Sequence, residues 1–511
     1  MMTRKDFFRI AGRSAAVVAA AFGRVDLEAA QSGPSAPALK TTKGADLKGT
    51  TDAVVRFMTQ ASMRDFPAPV LEQGKRCLID GVGVILAGST APGSSIVRRY
   101  VKAAAGPGEA TTLGMAPLAT SSAQAALVNG ASGHALDFDD TQLSSTPDRT
   151  YGLLTHPTIP ALAAALAVAE RQGATGAAFL EAFLVGVEVE CKICETIAPD
   201  HYLRGFHSSG TVGTFGAAVA AARLLKLDAE KSAHTLAIAA SLAAGIRVNF
   251  GSMTKPLHVA KAAEHGVFAA DLAAAGFTGG ASALDGEWGF FAVFGGGAEP
   301  ERLIGTLGRP HSIVNPGVSV KPYPCGVLSH QAMDAMLKLV TDNNVAPDAI
   351  AAVRLRAGSN ILNPLRYKTA KTELEAKFCP PFLLSAIALR RKAGTREFTD
   401  AFVSSEPVQR MMTKVSMIRD PAIEAQGFDK IRSIVEVDLV DGRTLIQKAD
   451  ERYRGGPDRP FTREELHAKF TDCAEEVLTA DAIAQALQQI ETIETRSNVR
   501  DLTRTLSSKR S

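Results

Sequence analysis

Three carboxylates fall within four positions of the run Gly133-His134-Ala135-Leu136-Asp137-Phe138-Asp139-Asp140-Thr141. Like charges at that spacing repel one another along a helix, so helix stability gives no reason to gather them. A solvated helix end would account for them, and so would a site that moves protons. Three further segments put ionisable groups where a helix begins. Thr155-His156-Pro157 pins a histidine before a proline-led helix, and Arg204-Gly205-Phe206-His207-Ser208-Ser209-Gly210-Thr211 opens an alanine-rich one. In Met253-Thr254-Lys255-Pro256-Leu257-His258 the proline suits the first helical position and brings Lys255 to another helix start. Exposed N–H groups and the helix dipole make such starts natural carboxylate sites. A fifth piece, Lys321-Pro322-Tyr323-Pro324-Cys325-Gly326 with His330 soon after, is a loop stiffened by two prolines. Each piece alone is explained by a solvated side chain or a hinge; their repetition points to a shared site.

Brought together, these segments would form a cleft with a positive lining and one acidic group, Asp137. A small substrate bearing two or three carboxylates fits such a cleft. Lysines grip carboxylates as point charges, and a histidine of near-neutral pKa moves protons while a neighbouring carboxylate orients it. Removing a proton from carbon beside a carboxylate builds negative charge there. Lysines and helix starts stabilise that charge more than the resting substrate. No nucleophile elbow, phosphate loop or dinucleotide fingerprint competes. Gly295-Gly296-Gly297 lacks a strand–helix frame and is expected to be a turn.

The elements that must hold these pieces are mostly helical. Val70, Gly74, Leu78, Val82 and Ile85 recur at helical spacing, and Ser121-Ser122 can cap a helix carrying Ala126, Gly130, His134 and Asp137 along one side. Helices are expected over Thr158–Gln172, Thr175–Ile197, Thr211–Leu225, Ser232–Ala244 and Pro256–Ala275, with Ala and Gly at contact spacing so that backbones can approach. After about Val314 the character changes. Ala349–Ala357 and Ile434–Val440 alternate as strands do, and Asp441-Gly442 is a two-residue hairpin signal before Thr444–Gln447. Helices at Phe382–Lys392 and Thr399–Arg410 lie between them. Helices from Thr462 to about Thr492 then follow a Gly/Pro-rich link and could return to the first domain.

At 511 residues, with 46% hydrophobic and 21% charged, the chain has the composition of a two-domain globular protein. A net charge of +3 offers no basic surface for nucleic acid, so any pull on acidic ligands has to be local. The six cysteines follow neither a disulfide framework nor a zinc or iron–sulfur spacing, and Cys191 and Cys194 form a CxxC expected to be a helical packing pair. No metal and no membrane span is expected. Residues 1–45 stand apart. Thr3-Arg4-Lys5-Asp6-Phe7-Phe8-Arg9, followed by the weakly apolar Ile10–Phe22, resembles a twin-arginine export signal with Lys5 in place of the second arginine. A Pro/Ser/Gly-rich spacer follows. A periplasmic location is expected; the alternative is a basic N-terminal helix on a cytoplasmic protein.

At these residues the sequence resembles the MmgE/PrpD family, which includes 2-methylcitrate dehydratase, cis-aconitate decarboxylase and iminodisuccinate epimerase. The matching pieces, in order, are GHALDFDDT, THP, RGFHSSGTVGTFGAA, TKPLHVAKAAEHG, KPYPCGVLSH and, more loosely, LEAKFCPPF. The resemblance spans about Asp52 to Phe470. It implies a mainly α fold: a large helical domain built from N- and C-terminal segments (residues 46–315 and 449–505) and a smaller α+β lid (residues 316–448), assembled as a homodimer. It also implies an active site between the domains that needs no metal or organic cofactor. Carried over by motif, the site residues are Asp137, Thr141, His156, His207, Lys255 and Lys321, with His258 and His330 as further substrate-binding candidates. The connection Gln142–Thr155, holding Asp148, Arg149 and Tyr151, is longer than in the decarboxylase and would reshape the pocket.

The expected activity is that of a lyase on a small di- or tricarboxylate, with elimination of water in the manner of 2-methylcitrate dehydratase foremost. Decarboxylation or epimerisation would use the same charges. A different class of reading is an exported protein that binds carboxylates without turning them over.

Overall fold

Alanine and glycine at contact positions decide how the helices of the larger lobe pack. The computed structural model describes residues 46–104, 106–143 and 155–507; the export-like segment, its spacer and most of the Gln142–Thr155 connection, with Asp148, Arg149 and Tyr151, lie outside them. The larger lobe is built on α1 (Ala68–Gly88), α2 (Ser122–Ala135), α3 (Thr158–Gln172), α4 (Gly176–Ile197), α5 (Ser208–Leu224) and α6 (Thr254–Ala274). Ser121 caps α2 by accepting the Gln124 N–H, and Thr175 caps α4 through the Ala178 N–H. Helices α3 and α5 are buried on almost every side, so their sequences carry no polar stripe.

A side chain at Gly130 of α2 would put its Cβ 2.9 Å from the Ala260 Cα of α6, and one at Gly266 of α6 would lie 2.5 Å from the Ala218 nitrogen of α5. Neither place has room for a methyl group. The close antiparallel run of α2 against α6 brings the end of α2, with His134, to the start of α6, with Lys255. A two-residue pairing does the same for the other lysine: β1 (Thr141–Gln142) runs antiparallel to β2 (Val318–Ser319), two residues before Lys321.

The smaller lobe has its own apolar core between Tyr323 and Ala449. Its helices α7 (His330–Asp342) and α8 (Pro380–Arg390) pack with a four-stranded sheet of β3 (Ile350–Ala357), β4 (Val415–Arg419), β5 (Ser433–Leu439) and β6 (Thr444–Lys448), in the order β4-β3-β5-β6. Val353 and Leu355 of β3 and Val435 and Val437 of β5 face that core. Arg354 and Arg356, on the other face, pair with Glu436 at 2.8 and 2.7 Å. Asp441-Gly442 closes the β5–β6 hairpin, with Gly442 at φ 88°.

The chain then returns. Helices α9 (Arg463–Ala474) and α10 (Ala480–Glu491) contribute Leu466, Phe470, Leu487 and Ile490 to the larger lobe's core. The fold is mainly α.

Two expectations need correction. Strand β4 was not expected: it is a mostly exposed edge strand, parallel to β3, without an apolar alternation to reveal it. The single helix expected over Thr399–Arg410 is two short ones, Asp400–Val403 and Glu406–Thr413, parted at Ser404-Ser405. All six cysteines are buried, with Cys191 and Cys194 inside α4. Among the described residues no single helix is long and apolar enough to cross a membrane.

Candidate active site

Asp137 stands in the turn that follows α2, with φ 54°, a left-handed conformation that costs energy for a residue with a side chain. The twist turns both its carbonyl and its carboxylate toward Lys321, whose Nζ lies 2.9 Å from each of Asp137 O and Oδ1. Lys255 Nζ donates to the same Oδ1 at 2.8 Å and to His134 Nε2 at 2.7 Å. Lys321 is 0% exposed, Lys255 5% and Asp137 4%. Taking such groups out of water costs several kcal/mol per ion, and apolar residues would pack the same space at less cost. Burial opposes ionisation of Asp137, but the two ammonium groups outweigh it and hold its carboxyl well below the usual carboxylate range. Burial pulls Lys255 below the ordinary lysine value, with Asp137 resisting.

Two of the histidines around this cradle have fixed tautomers. His134 Nδ1 lies 2.8 Å from the Asp139 carboxylate and must donate to it, which leaves Nε2 to accept from Lys255. His156 Nδ1 lies 2.7 Å from the Asp140 carbonyl, so it carries the proton and Nε2 keeps its lone pair. His207 Nδ1 meets His258 Nδ1 at 3.1 Å, and its Nε2 is buried with no hydrogen-bond partner among the described residues. The His134 ring centroid lies 5.1 Å from that of His156 and 5.4 Å from that of His207. Burial and the charge of Lys321 hold His156 down at about 3. Burial and Lys255 keep His207 well below the usual histidine value. These rings are neutral at neutral pH.

His156 and His207 line a pocket of about 580 Å³ that is partly open to solvent. Its polar lining is Asp137, Thr141, His156, His207, Ser209, Lys255 and Lys321. Its apolar lining is Phe250, Val327, Leu328, Pro364, Leu365 and Phe378, most of them from the smaller lobe, and the Lys255 ammonium lies 5.4 and 5.8 Å from the ring centroids of Phe250 and Phe378. The returning helix α9 fixes the floor. Lys469 Nζ donates to the carbonyls of Phe138 and Lys321, each at 3.0 Å, and pairs with Asp80 of α1 at 2.6 Å.

The structure therefore brings Asp137, Thr141, His156, His207, Lys255 and Lys321 to one cavity. His258 stands behind His207 and does not line it. His330 is farther removed: its Nδ1 accepts from the Tyr453 hydroxyl at 2.6 Å and its Nε2–H donates to the Cys325 carbonyl at 3.1 Å, so it braces the proline loop and has no nitrogen left for a ligand. Sequence reasoning passed over His134, Ser209, Tyr202, Phe250 and Lys469. His134 and Ser209 lie inside the quoted motifs, four positions from a singled-out residue or fewer. Tyr202, Phe250 and Lys469 carry no local signal.

Ring nitrogens of His134, His156 and His207 lie within 4.8 Å of one another, as do ligand atoms of His134, Asp137 and Asp139. Either set could approach a metal ion. Both nitrogens of His134 are nevertheless engaged, by Asp139 and by the Lys255 ammonium, so the donors suit proton transfer better than coordination.

A mainly helical protein of two lobes, with a buried lysine–aspartate–histidine pocket where they meet, is the class these features define. Residues 52–303 match the MmgE/PrpD N-terminal domain and residues 323–494 the MmgE/PrpD C-terminal domain. The chain belongs to the MmgE/PrpD family. It is 28% identical to human cis-aconitate decarboxylase over 454 residues, 88% of this chain and 92% of that protein. It is 28% identical to the mouse cis-aconitate decarboxylase over 467 residues, 90% and 94% of the two chains. A cis-aconitate decarboxylase-like protein of Aspergillus oryzae is 25% identical over 474 residues, 88% of this chain and 96% of that one.

Proposed function

We propose that this protein is a cofactor-independent lyase for a small tricarboxylate and that it breaks a carbon–carbon bond, releasing carbon dioxide. One observation carries the reading: two buried lysines converge on Asp137 in a pocket whose remaining lining is largely apolar. The lysines hold carboxylates that stay, through charge-assisted contacts. The apolar lining disfavours a charged carboxylate and favours neutral carbon dioxide. In the step, the bond from carbon to one carboxylate breaks and its electron pair moves onto the carbon framework, toward a carboxylate held by Lys255 and Lys321. A proton from the protein completes a new C–H bond. Lys255, whose ammonium is held below the ordinary lysine value and touches His134, is placed to give it, and His156 Nε2 is placed to receive and return protons. The names of the relatives support this choice over loss of water, the reaction placed foremost on sequence, although the same groups serve both.

Incubating the purified protein with cis-aconitate, citrate, 2-methylcitrate and iminodisuccinate, followed by mass spectrometry, tests the proposal. Loss of carbon dioxide from one of them is expected. Loss of water would make the protein a hydro-lyase, unchanged mass with altered stereochemistry an epimerase, and tight binding without turnover a carboxylate-binding protein. Export to the periplasm and assembly as a homodimer stand as proposals too, tested by fractionating cells that express the full chain and by light scattering.

A further inference from the structure

Ser209 lines the pocket, and its neighbours restrict what its hydroxyl can do. Oγ accepts the His156 backbone N–H at 2.9 Å and lies 3.3 Å from Thr155 Oγ1, which in turn lies 2.7 Å from Glu190 Oε1. Glu190 sits in α4 at 0% exposure, facing α5 where that helix carries glycine. A side chain at Gly216 would put its Cβ 2.5 Å from Glu190 Oε2, so the glycine makes the niche that the carboxyl fills. Thr155 is its hydrogen-bond partner, and Oε2 has none among the described residues. A carboxyl buried without a cation keeps its proton. Burial accordingly pushes Glu190 well above the usual carboxylate range.

A protonated Glu190 donates to Thr155 Oγ1, and Thr155 then donates its own hydrogen to Ser209 Oγ. Ser209 thus has both lone pairs filled, by Thr155 and by the His156 N–H, and one O–H left for the pocket. We infer that the Glu190–Thr155–Ser209 chain fixes Ser209 as an obligate hydrogen-bond donor to a substrate carboxylate, a binding residue acting beside Lys255 and Lys321. Glu190 is its positioning residue, acting through Thr155. The inference rests on the reading of this pocket as a carboxylate site.

Citrate binding by calorimetry, steady-state kinetics and the infrared spectrum test it together. Ser209→Ala is expected to weaken citrate binding by about tenfold or more, as loss of a hydrogen bond to a charged group does, and to raise KM more than it lowers kcat. Glu190→Leu is expected to weaken binding as much, and the double variant no further. Glu190→Gln keeps an N–H donor toward Thr155 and is expected to lose far less. A protonated-carboxyl band present in the wild type and missing from Glu190→Gln should appear in their difference spectrum, with the Asp140 contribution common to both. Unchanged affinity in Ser209→Ala, additive effects in the double variant, no such band, or no citrate binding by the folded wild type would each overturn the inference. Citrate binding with this mutational pattern but no turnover of any polycarboxylate would sink the lyase reading alone.

Discussion

Replacing Asp137 with asparagine removes one charge and almost no volume, and its effect follows from the lysines it leaves behind. Among the described residues, Asp137 is the only carboxylate paired with Lys255 or with Lys321, at 2.8 and 2.9 Å. At an effective dielectric constant of about 20, each such pair is worth roughly 6 kcal/mol. The repulsion between the two ammonium groups also goes uncompensated in the variant. Water entry and proton loss from Lys255 will relax part of this, so the net cost should fall in the range of about 3–5 kcal/mol found when one partner of a buried pair is removed.

The sign of its pH dependence is fixed. Lys255 is already below its ordinary value when folded, and losing Asp137 lowers it further. The unfolded chain therefore binds more protons, and the variant recovers stability as pH rises toward the ordinary lysine range. Urea unfolding of wild type and Asp137→Asn across a pH series, with and without citrate, measures all of this. Citrate should stabilise the variant more than the wild type, because it supplies the missing negative charge to both lysines. A variant within about 1 kcal/mol of wild type, or one that citrate stabilises no more than wild type, would refute the reasoning.

Three further expectations follow from other parts of the structure. Asp140 is buried near Asp80 and pushed up to about 8 from 3.8, so the folded protein holds a proton that the unfolded chain releases. Its contribution to stability is present at low pH and lost as pH rises from 3.8 through about 8. Asp140→Asn should flatten that fall by up to about 1.4 kcal/mol per pH unit in chemical denaturation, and parallel curves would count against it. Gly130→Ala should cost about 1–3 kcal/mol by forcing α2 from α6, with a drop in turnover as Lys255 leaves His134; an unchanged melting temperature would contradict this. Lys469→Met should cost about 3–5 kcal/mol by stranding Asp80, and adding Asp80→Asn should recover part of that in a double-mutant cycle. Additive losses would mean the pair is not coupled.

Where the sequence was legible, its signal was local. Periodicity marked α3 to the residue, and Asp441-Gly442 marked the β5–β6 hairpin, because helix faces and two-residue turns are written in adjacent positions. The residues of the cradle were legible as chemistry through their repetition, since a solvated helix end or a hinge explains each piece alone. Their meeting was not legible. It depends on Gly130 letting α2 touch α6, on a two-residue pairing beside Lys321, and on Lys469 arriving from a helix that follows more than a hundred residues of the smaller lobe. His330 shows the converse: it lies in a motif as prominent as that of Lys321, yet both its nitrogens are spent on Tyr453 and Cys325. The buried state of Glu190 was invisible because a glutamate in a helical pattern ordinarily faces water.

A crystal structure of the His207→Ala variant soaked with the polycarboxylate that the wild type turns over bears most directly on the central claim. Carboxylate oxygens should lie within hydrogen-bond distance of Lys255 and Lys321, with the departing carboxylate against Phe250, Leu365 and Phe378. Density for the ligand away from both lysines, or a pocket still closed by the Lys255–Asp137–Lys321 contacts with the ligand bound elsewhere, would contradict it.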